Sequence, residues 1–306
     1  MHNRSLEFVL LGCLALLWGS SYMWIALALP TIPPATLIAI RVLSAALALF
    51  AILMVTGVRM PRDARIWRLF FVQSLVNSTG PWLLLAWGQQ YASTAVASVL
   101  NSTSPLWVFA FSWLLLGTDQ RPGARQLAGA LLGFTGIVLI VGMAALEDLG
   151  RNLVPQLAVL LGAALYGIAA LQGRKFAGVP PMVTATGTLI CAALVLVPAS
   201  LLIDRPWQLE PSVSGLAAAL ILGLACTALA FLIYFRLLGT LGAMGTASQA
   251  YLRSGIGVFL GVVFLSESLD LETFAGICLA IFGVVLINWP VKRKMQVTVP
   301  VGKEVS

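Results

Sequence analysis

Apolar residues occur along the chain in ten long runs that are separated by short polar connections. The runs span residues 6–28, 34–57, 67–88, 94–116, 124–145, 154–173, 181–203, 213–237, 243–265 and 271–289. Most of them have roughly the 20 residues that an α-helix needs to cross the hydrocarbon core of a bilayer. Hydrocarbon offers the backbone no hydrogen-bonding partner, so the runs must be helices; β-barrel strands would be shorter and would alternate in polarity. The pattern predicts an all-α integral membrane protein with ten transmembrane helices.

The charge of the connections changes sign from one connection to the next. The two tails and the connections after even-numbered helices hold 14 basic and 4 acidic residues, whereas the other connections hold 2 basic and 7 acidic ones. Because Lys and Arg are retained on the cytoplasmic side, both termini are predicted to be cytoplasmic. The same connections explain the net charge of +7, so a nucleic-acid partner is not expected.

The second half of the chain resembles the first. Gly129 and Gly136 align with Gly276 and Gly283 in the best-matching region. The halves, residues 1–150 and 151–290, would each hold five helices, followed by a cytoplasmic tail at 291–306. An odd number of helices per half inverts the second half relative to the first. Inverted repeats place a binding site near the bilayer midplane, between halves that open alternately to each side.

Equivalent connections of the two halves carry opposite charges, as inversion requires. The connection at 117–125 contains Arg121 and Arg125, whereas its counterpart at 266–272 contains three acidic residues. Those residues are Glu267, Asp270 and Glu272. The sequence therefore favours a transporter built from two inverted five-helix repeats.

Several motifs resemble those of a known family. They are Phe-Leu-Ser-Glu-Ser-Leu at 264–269, Phe274-Ala275-Gly276 with Gly283, Trp18-Gly19-Ser20-Ser21 and Arg41. These motifs resemble EamA-type repeats of the drug/metabolite transporter superfamily, and within it the aromatic amino-acid exporters of the YddG type. The resemblance covers nearly the whole chain and implies ten helices in a five-plus-five inverted arrangement. Since the first half has Gly117-Thr118 where the second has Ser266-Glu267, no transport role is assigned to Glu267.

Acidic residues are missing from the middle of every predicted helix, and the only histidine, His2, lies in the N-terminal tail. Carriers of cations, and carriers driven by protons through a carboxylate, usually need a buried titratable group. The sequence therefore predicts movement or exchange of solute without coupling through a membrane carboxylate.

Two arginines lie well inside predicted helices, away from the ends. Arg253 lies ten residues into the ninth helix, about 15 Å deep, on a face that also holds Thr246 and Gln249. A guanidinium group suits bidentate binding of a carboxylate, so Arg253 is the leading candidate ligand, with a structural role as the alternative. Arg41 lies seven residues into the second helix, where we expect it to snorkel outward and to be structural.

Amides and aromatic rings complete the predicted site. Asn101 precedes Pro105, and Asn77 precedes Pro81, so both amides are placed beside predicted helix hinges. Rings deep in the helices could form the walls of a cavity, and ordinary packing is the alternative for each of them. The predicted substrate-binding set is Arg253, Asn101, Tyr251, Gln249, Trp107, Asn77, Tyr234, Trp18, Tyr22 and Tyr166.

A cavity of this composition suits an anionic or zwitterionic solute that carries an apolar or aromatic group. The predicted function is secondary transport or export of small zwitterionic metabolites, above all aromatic amino acids. Export of other organic anions or drugs is the alternative. A membrane enzyme is disfavoured because the sequence shows no acidic, His or Cys cluster at a membrane face, and a lipid scramblase is a further, less favoured alternative. No metal or cofactor is expected. The predicted setting is a bacterial inner membrane, with lipid and the solute as partners and a monomeric chain.

Overall fold

Helices form all of the regular structure in the described part of the chain. The computed structural model describes residues 4–91, 94–118, 121–141, 153–253 and 271–289. The helices are α1 (Arg4–Ala28), α2 (Pro34–Thr56), α3 (Ala64–Gly88), α4 (Thr94–Asn101), α5 (Ser104–Leu115), α6 (Ala124–Val141), α7 (Leu153–Gly173), α8 (Pro181–Ile203), α9 (Val213–Thr240), α10 (Gly242–Ala247) and α11 (Leu271–Asn288). Residues 249–253 are helical as well. Residues 254–265 of the predicted ninth helix, the acids Glu267 and Asp270, and the tail at 291–306 lie outside the described residues.

Six of these helices are long and apolar enough to cross a membrane. They are α1, α2, α3, α7, α8 and α9, and their apolar spans are 23 to 28 residues long. At a rise of 1.5 Å per residue, even the shortest covers more than the roughly 30 Å hydrocarbon core. Shorter apolar helices occupy Val99–Leu115, Ala124–Ile140 and Phe274–Asn288. The chain is therefore a multi-span membrane protein, as the apolar runs predicted.

The helix predicted at 94–116 is divided in two. α4 ends at Asn101, Ser102 and Thr103 form a turn, and α5 begins at Ser104 with Pro105 in its first turn. Proline has no N–H group and is tolerated at the start of a helix but not in its interior. The kink predicted at this proline is therefore a complete break, and it leaves the Asn101 side chain at a helix end.

Glycines hold α6 and α11 in close contact. A Cβ atom at Gly136 would lie 2.6 Å from the Gly276 carbonyl oxygen, and one at Gly129 would lie 2.8 Å from the Gly283 carbonyl oxygen. Apolar side chains gain little free energy by moving from lipid to another helix, so close packing is a main source of attraction between helices in membranes. Small residues permit such packing. The two backbones consequently touch at these glycines.

Two long helices contain a wider, π-helical segment. It spans Leu75–Thr79 in α3 and Leu224–Leu229 in α9. A π-helical turn holds one more residue than an α-helical turn, so it disturbs the regular ladder of hydrogen bonds and exposes backbone carbonyls to new partners. The first segment supplies Asn77 to the cavity described next, and the second contacts Arg41, which lines that cavity, through Thr227 and the Cys226 carbonyl oxygen.

Candidate functional site

A polar and aromatic cavity lies among α1–α5, α7, α9, α10 and the segment that follows α10. The cavity has a volume of about 60 Å³, which is room for several water molecules. Eight of the ten predicted ligand side chains line this cavity, namely Trp18, Tyr22, Asn77, Asn101, Tyr166, Tyr234, Gln249 and Arg253. Residues that are up to 235 positions apart in the sequence are thus brought to one place.

Two of the predicted ligands lie elsewhere. Tyr251 is fully buried, donates its hydroxyl hydrogen bond to the Ala130 carbonyl oxygen at 2.8 Å, and packs its ring on Gly133 of α6. Trp107 stacks on Phe111, with ring centroids 5.7 Å apart. Neither residue lines the cavity. Trp107 is kept from it because α5 turns a different face, which carries Ser104 and Val108, towards the cavity, and Tyr251 points to α6 instead.

Arg253 reaches the cavity past a glycine of α1. Its side chain packs on Gly19, where a Cβ atom would lie 3.1 Å from the Arg253 Cγ. Its guanidinium carbon lies 5.3 Å from the centroid of the Tyr22 ring. The residue is only 9% exposed, and its Nε has no hydrogen-bonding partner among the described residues. Arg253 therefore offers a buried donor to whatever enters the cavity.

Arg41 also lines the cavity, and the expectation that it snorkels outward is wrong. It is 3% exposed, and its Nε donates to Thr227 Oγ1 at 2.7 Å while Nη2 lies 3.5 Å from the Cys226 carbonyl oxygen. Its guanidinium carbon sits 3.9 Å from the centroid of Trp82. α2 packs against α8 and α9 at this depth, so the side chain meets the π-helical segment of α9 instead of lipid headgroups.

Polar side chains in the cavity are only partly satisfied. Asn101 Nδ2 donates to the Tyr22 hydroxyl at 2.8 Å. In contrast, Asn77 Nδ2, Gln249 Oε1 and Thr246 Oγ1 are buried and have no partner among the described residues. A buried polar atom without a partner costs about 1–3 kcal/mol, so such atoms in a cavity indicate bound water or a polar solute.

Aromatic rings form an apolar wall opposite these groups. Trp18 Nε1 donates to the Cys226 carbonyl oxygen at 3.1 Å, and its ring centroid lies 5.4 Å from that of Tyr234. Trp82 was not among the predicted ligands, although it lines the cavity together with Ser21 and Ser104. The sequence offered one indication of this role, namely that Trp82 directly follows Pro81 inside a predicted helix.

The predicted hinge prolines lie next to helix irregularities. Pro81 follows the segment Leu75–Thr79, and Pro105 follows the break between α4 and α5. Asn77 and Asn101 are therefore carried by the irregular segments themselves. A hinge function for either proline stays a prediction.

Acidic side chains in the described ranges are found at helix ends, away from the cavity. Glu7 accepts hydrogen bonds from Arg236 Nη2 and from Thr240 Oγ1, both at 2.9 Å. Asp204 accepts from the Thr36 backbone N–H at 2.6 Å and so caps α2. Among the described residues that line the cavity, none is Asp or Glu. The cavity thus combines positive charge with neutral polar and aromatic groups.

Comparison with protein families gives a match to both halves of the chain. The model of the EamA-like transporter family matches residues 6–142 and again residues 154–289. The two matches together cover most of the chain.

Individual relatives are transporters by name, and their similarity extends over nearly their full length. The chain is 24% identical to the uncharacterized inner membrane transporter YedA of Escherichia coli K12, over 92% of this chain and 90% of that protein. It is 27% identical to the uncharacterized transporter YvbV of Bacillus subtilis, over 96% and 94% of the two chains. A crystal structure with 20% identity superposes on 92% of this chain with a TM-score of 0.75, which shows a shared fold.

Proposed function

The chain belongs to the EamA-like transporter family, and from this premise we propose that it is a secondary transporter of small organic solutes that carry a carboxylate and an aromatic or apolar group. Amino acids with aromatic side chains are the first candidates and other organic anions are the second. The main support is Arg253, a buried guanidinium with an unpartnered Nε in a cavity walled by rings. Guanidinium groups bind carboxylates through paired, charge-assisted hydrogen bonds.

The proposed architecture is ten transmembrane helices in two inverted repeats, 1–150 and 151–290, with cytoplasmic termini in a bacterial inner membrane. Several features support it. The family model matches each half once, and both α3 and α9 carry a π-helical segment. α1 packs against α9, and α7 packs against α3. These two contacts are equivalent when each helix is replaced by its counterpart in the other half. At the α6–α11 interface, Gly129 meets Gly283 and Gly136 meets Gly276, which is the reciprocity of a twofold contact.

Single cysteines test this topology in a variant that lacks the four native ones. Cysteines at Gln90 and at Gln208, both exposed, should react with a membrane-impermeant thiol reagent added outside intact cells. A cysteine at Arg62, on the opposite side, should react only after the cells are opened. Labelling of position 62 in sealed cells would contradict the proposed orientation.

Transport is proposed to occur by alternating access, as uniport or exchange through this cavity. Purified protein in proteoliposomes preloaded with phenylalanine should take up labelled phenylalanine by counterflow, because exchange needs no other energy source. Substitution of Arg253 should reduce this exchange. Arg253→Lys keeps the charge but loses the planar fork, so it should weaken exchange, and Arg253→Gln should nearly abolish it.

A carboxylate and its amide distinguish binding from a structural role of Arg253. Loss of a charge-assisted hydrogen bond costs about 1.5–3 kcal/mol, roughly a tenfold to hundredfold loss of affinity for phenylalanine. Phenylalaninamide lacks the carboxylate and should lose little when Arg253 is changed to Gln. Arg62→Gln, at an exposed position, is the matched control for loss of a positive charge. If folded Arg253→Gln protein keeps the wild-type preference for the carboxylate, Arg253 is not its ligand.

A further inference from the structure

Two arginines line one cavity, and we propose that this cavity selects solutes with two anionic groups over zwitterions. The inference rests on the proposed transport of carboxylate-bearing solutes and, within that class, it ranks dianions ahead of the aromatic amino acids. Arg41 comes from α2, and Arg253 comes from the helical turn that follows α10, so the two positive charges reach the cavity from separate parts of the fold. Both side chains are more than nine-tenths buried.

The described contacts of Arg41 are all with neutral groups. They are the Thr227 hydroxyl, the Cys226 carbonyl and the Trp82 ring. These contacts satisfy N–H donors and fix the direction of the guanidinium group, but they bring no negative charge. A buried charge without a counter-charge is costly, and membrane proteins usually pair such groups. Arg41 is therefore held in place without a carboxylate partner among the residues that the structure describes.

Arg253 is compensated no better. The Tyr22 ring lies near its guanidinium carbon, Gly19 packs on its side chain, and Nε has no partner among the described residues. The described acids Glu7 and Asp204 are engaged at helix ends. Within the described lining of the cavity there is no carboxylate to offset either arginine. The proposal assigns the negative charge to the entering solute.

Tyr166 of α7 lines the cavity together with both arginines. We define the Arg41 subsite as Arg41, Trp82 and Thr227, and the Arg253 subsite as Arg253 and Tyr22. A solute that places one anionic group in each subsite would have its apolar body beside Tyr166. This arrangement matches a compact dianion with a ring or an apolar chain.

Zwitterions fit this cavity less well because their ammonium group enters a field set by two positive charges. Aromatic faces are the usual neutral partners of an ammonium group. Here the faces of Trp82 and Tyr22 already have guanidinium groups above them. The unpartnered acceptors in the described lining, Gln249 Oε1 and Thr246 Oγ1, are uncharged. A second carboxylate in place of the ammonium removes the repulsion and neutralises the second arginine.

Three solutes with one skeleton test the inference directly. 3-Phenylpropanoate, phenylalanine and benzylsuccinate carry hydrogen, an ammonium group or a carboxymethyl group at the same carbon. Their affinities for the purified protein in lipid nanodiscs can be measured by calorimetry or by the change in intrinsic tryptophan fluorescence. Benzylsuccinate should bind at least roughly tenfold more tightly than either of the others, since it gains one charge-assisted contact. Equal or tighter binding of phenylalanine would overturn the inference.

Substitutions then assign each anionic group to its subsite. Arg41→Gln and Arg253→Gln should each remove the advantage of benzylsuccinate over phenylpropanoate, whereas Arg62→Gln should preserve it. Arg41→Lys retains the charge and should retain most of the advantage of benzylsuccinate over phenylpropanoate. If Arg41→Gln fails to fold, this variant still tests the assignment, because loss of the advantage despite the retained charge would contradict it. An unchanged advantage in folded Arg41→Gln protein would refute the two-subsite assignment.

The same panel separates this inference from the proposed function. If phenylalanine exchanges in proteoliposomes but benzylsuccinate binds no better, only the selectivity for dianions fails. If none of the three solutes binds or exchanges, the proposed transport of carboxylate-bearing solutes fails as well, and the inference falls with it.

Discussion

Glycine has opposite structural roles at two helix contacts of this protein. Between α6 and α11 it removes side chains so that two backbones touch and leave no space, as at Gly136 and Gly276. Between α1 and residue 253 it makes room for a long side chain, since Gly19 lets Arg253 pass towards the cavity. The first contact is closed and apolar, and the second borders a polar cavity. The comparison indicates that the closed interface supports the fold while the open one positions a ligand group.

The largest effect is expected from adding a side-chain atom at the α6–α11 contact, where no space is left for it. In Gly136→Ala, the new Cβ atom would lie 2.6 Å from both the Gly276 carbonyl oxygen and the Ala280 backbone nitrogen, so one helix must move. Overpacking of this kind costs about 1–3 kcal/mol. The variant should show a lower melting temperature and a lower yield of monodisperse protein in detergent. An unchanged melting temperature would show that the α6–α11 contact is looser than described.

A smaller and different effect is expected at the cavity. In Gly19→Ala, the Cβ atom would lie 3.1 Å from Arg253 Cγ and from the Arg253 carbonyl oxygen, a distance that a small shift relieves. Such a shift moves the guanidinium group, so we expect severalfold weaker binding of a carboxylate solute with little change in melting temperature. The measurement is calorimetry with phenylalanine or benzylsuccinate beside a thermal melt.

Gly12→Ala is the matched control for both variants. Gly12 lies in α1, two turns before Gly19, and a Cβ atom there would have nothing within 4 Å. Alanine has a higher helix propensity than glycine by up to about 1 kcal/mol, so the control should be as stable as the wild type or slightly more stable. If Gly19→Ala and Gly12→Ala bind solute equally well, Gly19 does not position Arg253.

Much of the fold was predictable because a bilayer imposes a simple rule on sequence. Helix lengths follow from its thickness, and the apolar runs at 6–28, 34–57 and 181–203 agree with α1, α2 and α8 within a few residues. The resemblance to EamA-type repeats is confirmed by the match to that family. Closeness to the YddG type, the inverted five-plus-five arrangement and the cytoplasmic termini stay predictions.

Side-chain direction was the part that sequence could not supply. Depth along a helix placed Arg41 near the membrane surface, but which neighbour it meets depends on the tertiary contact with α9. Tyr251 is in the predicted substrate-binding set and lies two positions before Arg253 in the sequence. Residues two positions apart on a helix lie about 200° apart, and the Tyr251 ring accordingly packs against α6.

The widened turn at Leu75–Thr79 changes how the rest of α3 must be counted. One additional residue in a turn rotates everything that follows by about 100° around the helix axis, relative to an uninterrupted α-helix. A helical wheel drawn through all of α3 therefore puts Trp82 on the wrong side. Deleting a single residue within 75–79 would act as a rotation of the following half-helix more than as a shortening, and it would carry the Trp82 indole away from Arg41. Alignments with relatives that have a regular third helix need a one-residue gap at this point.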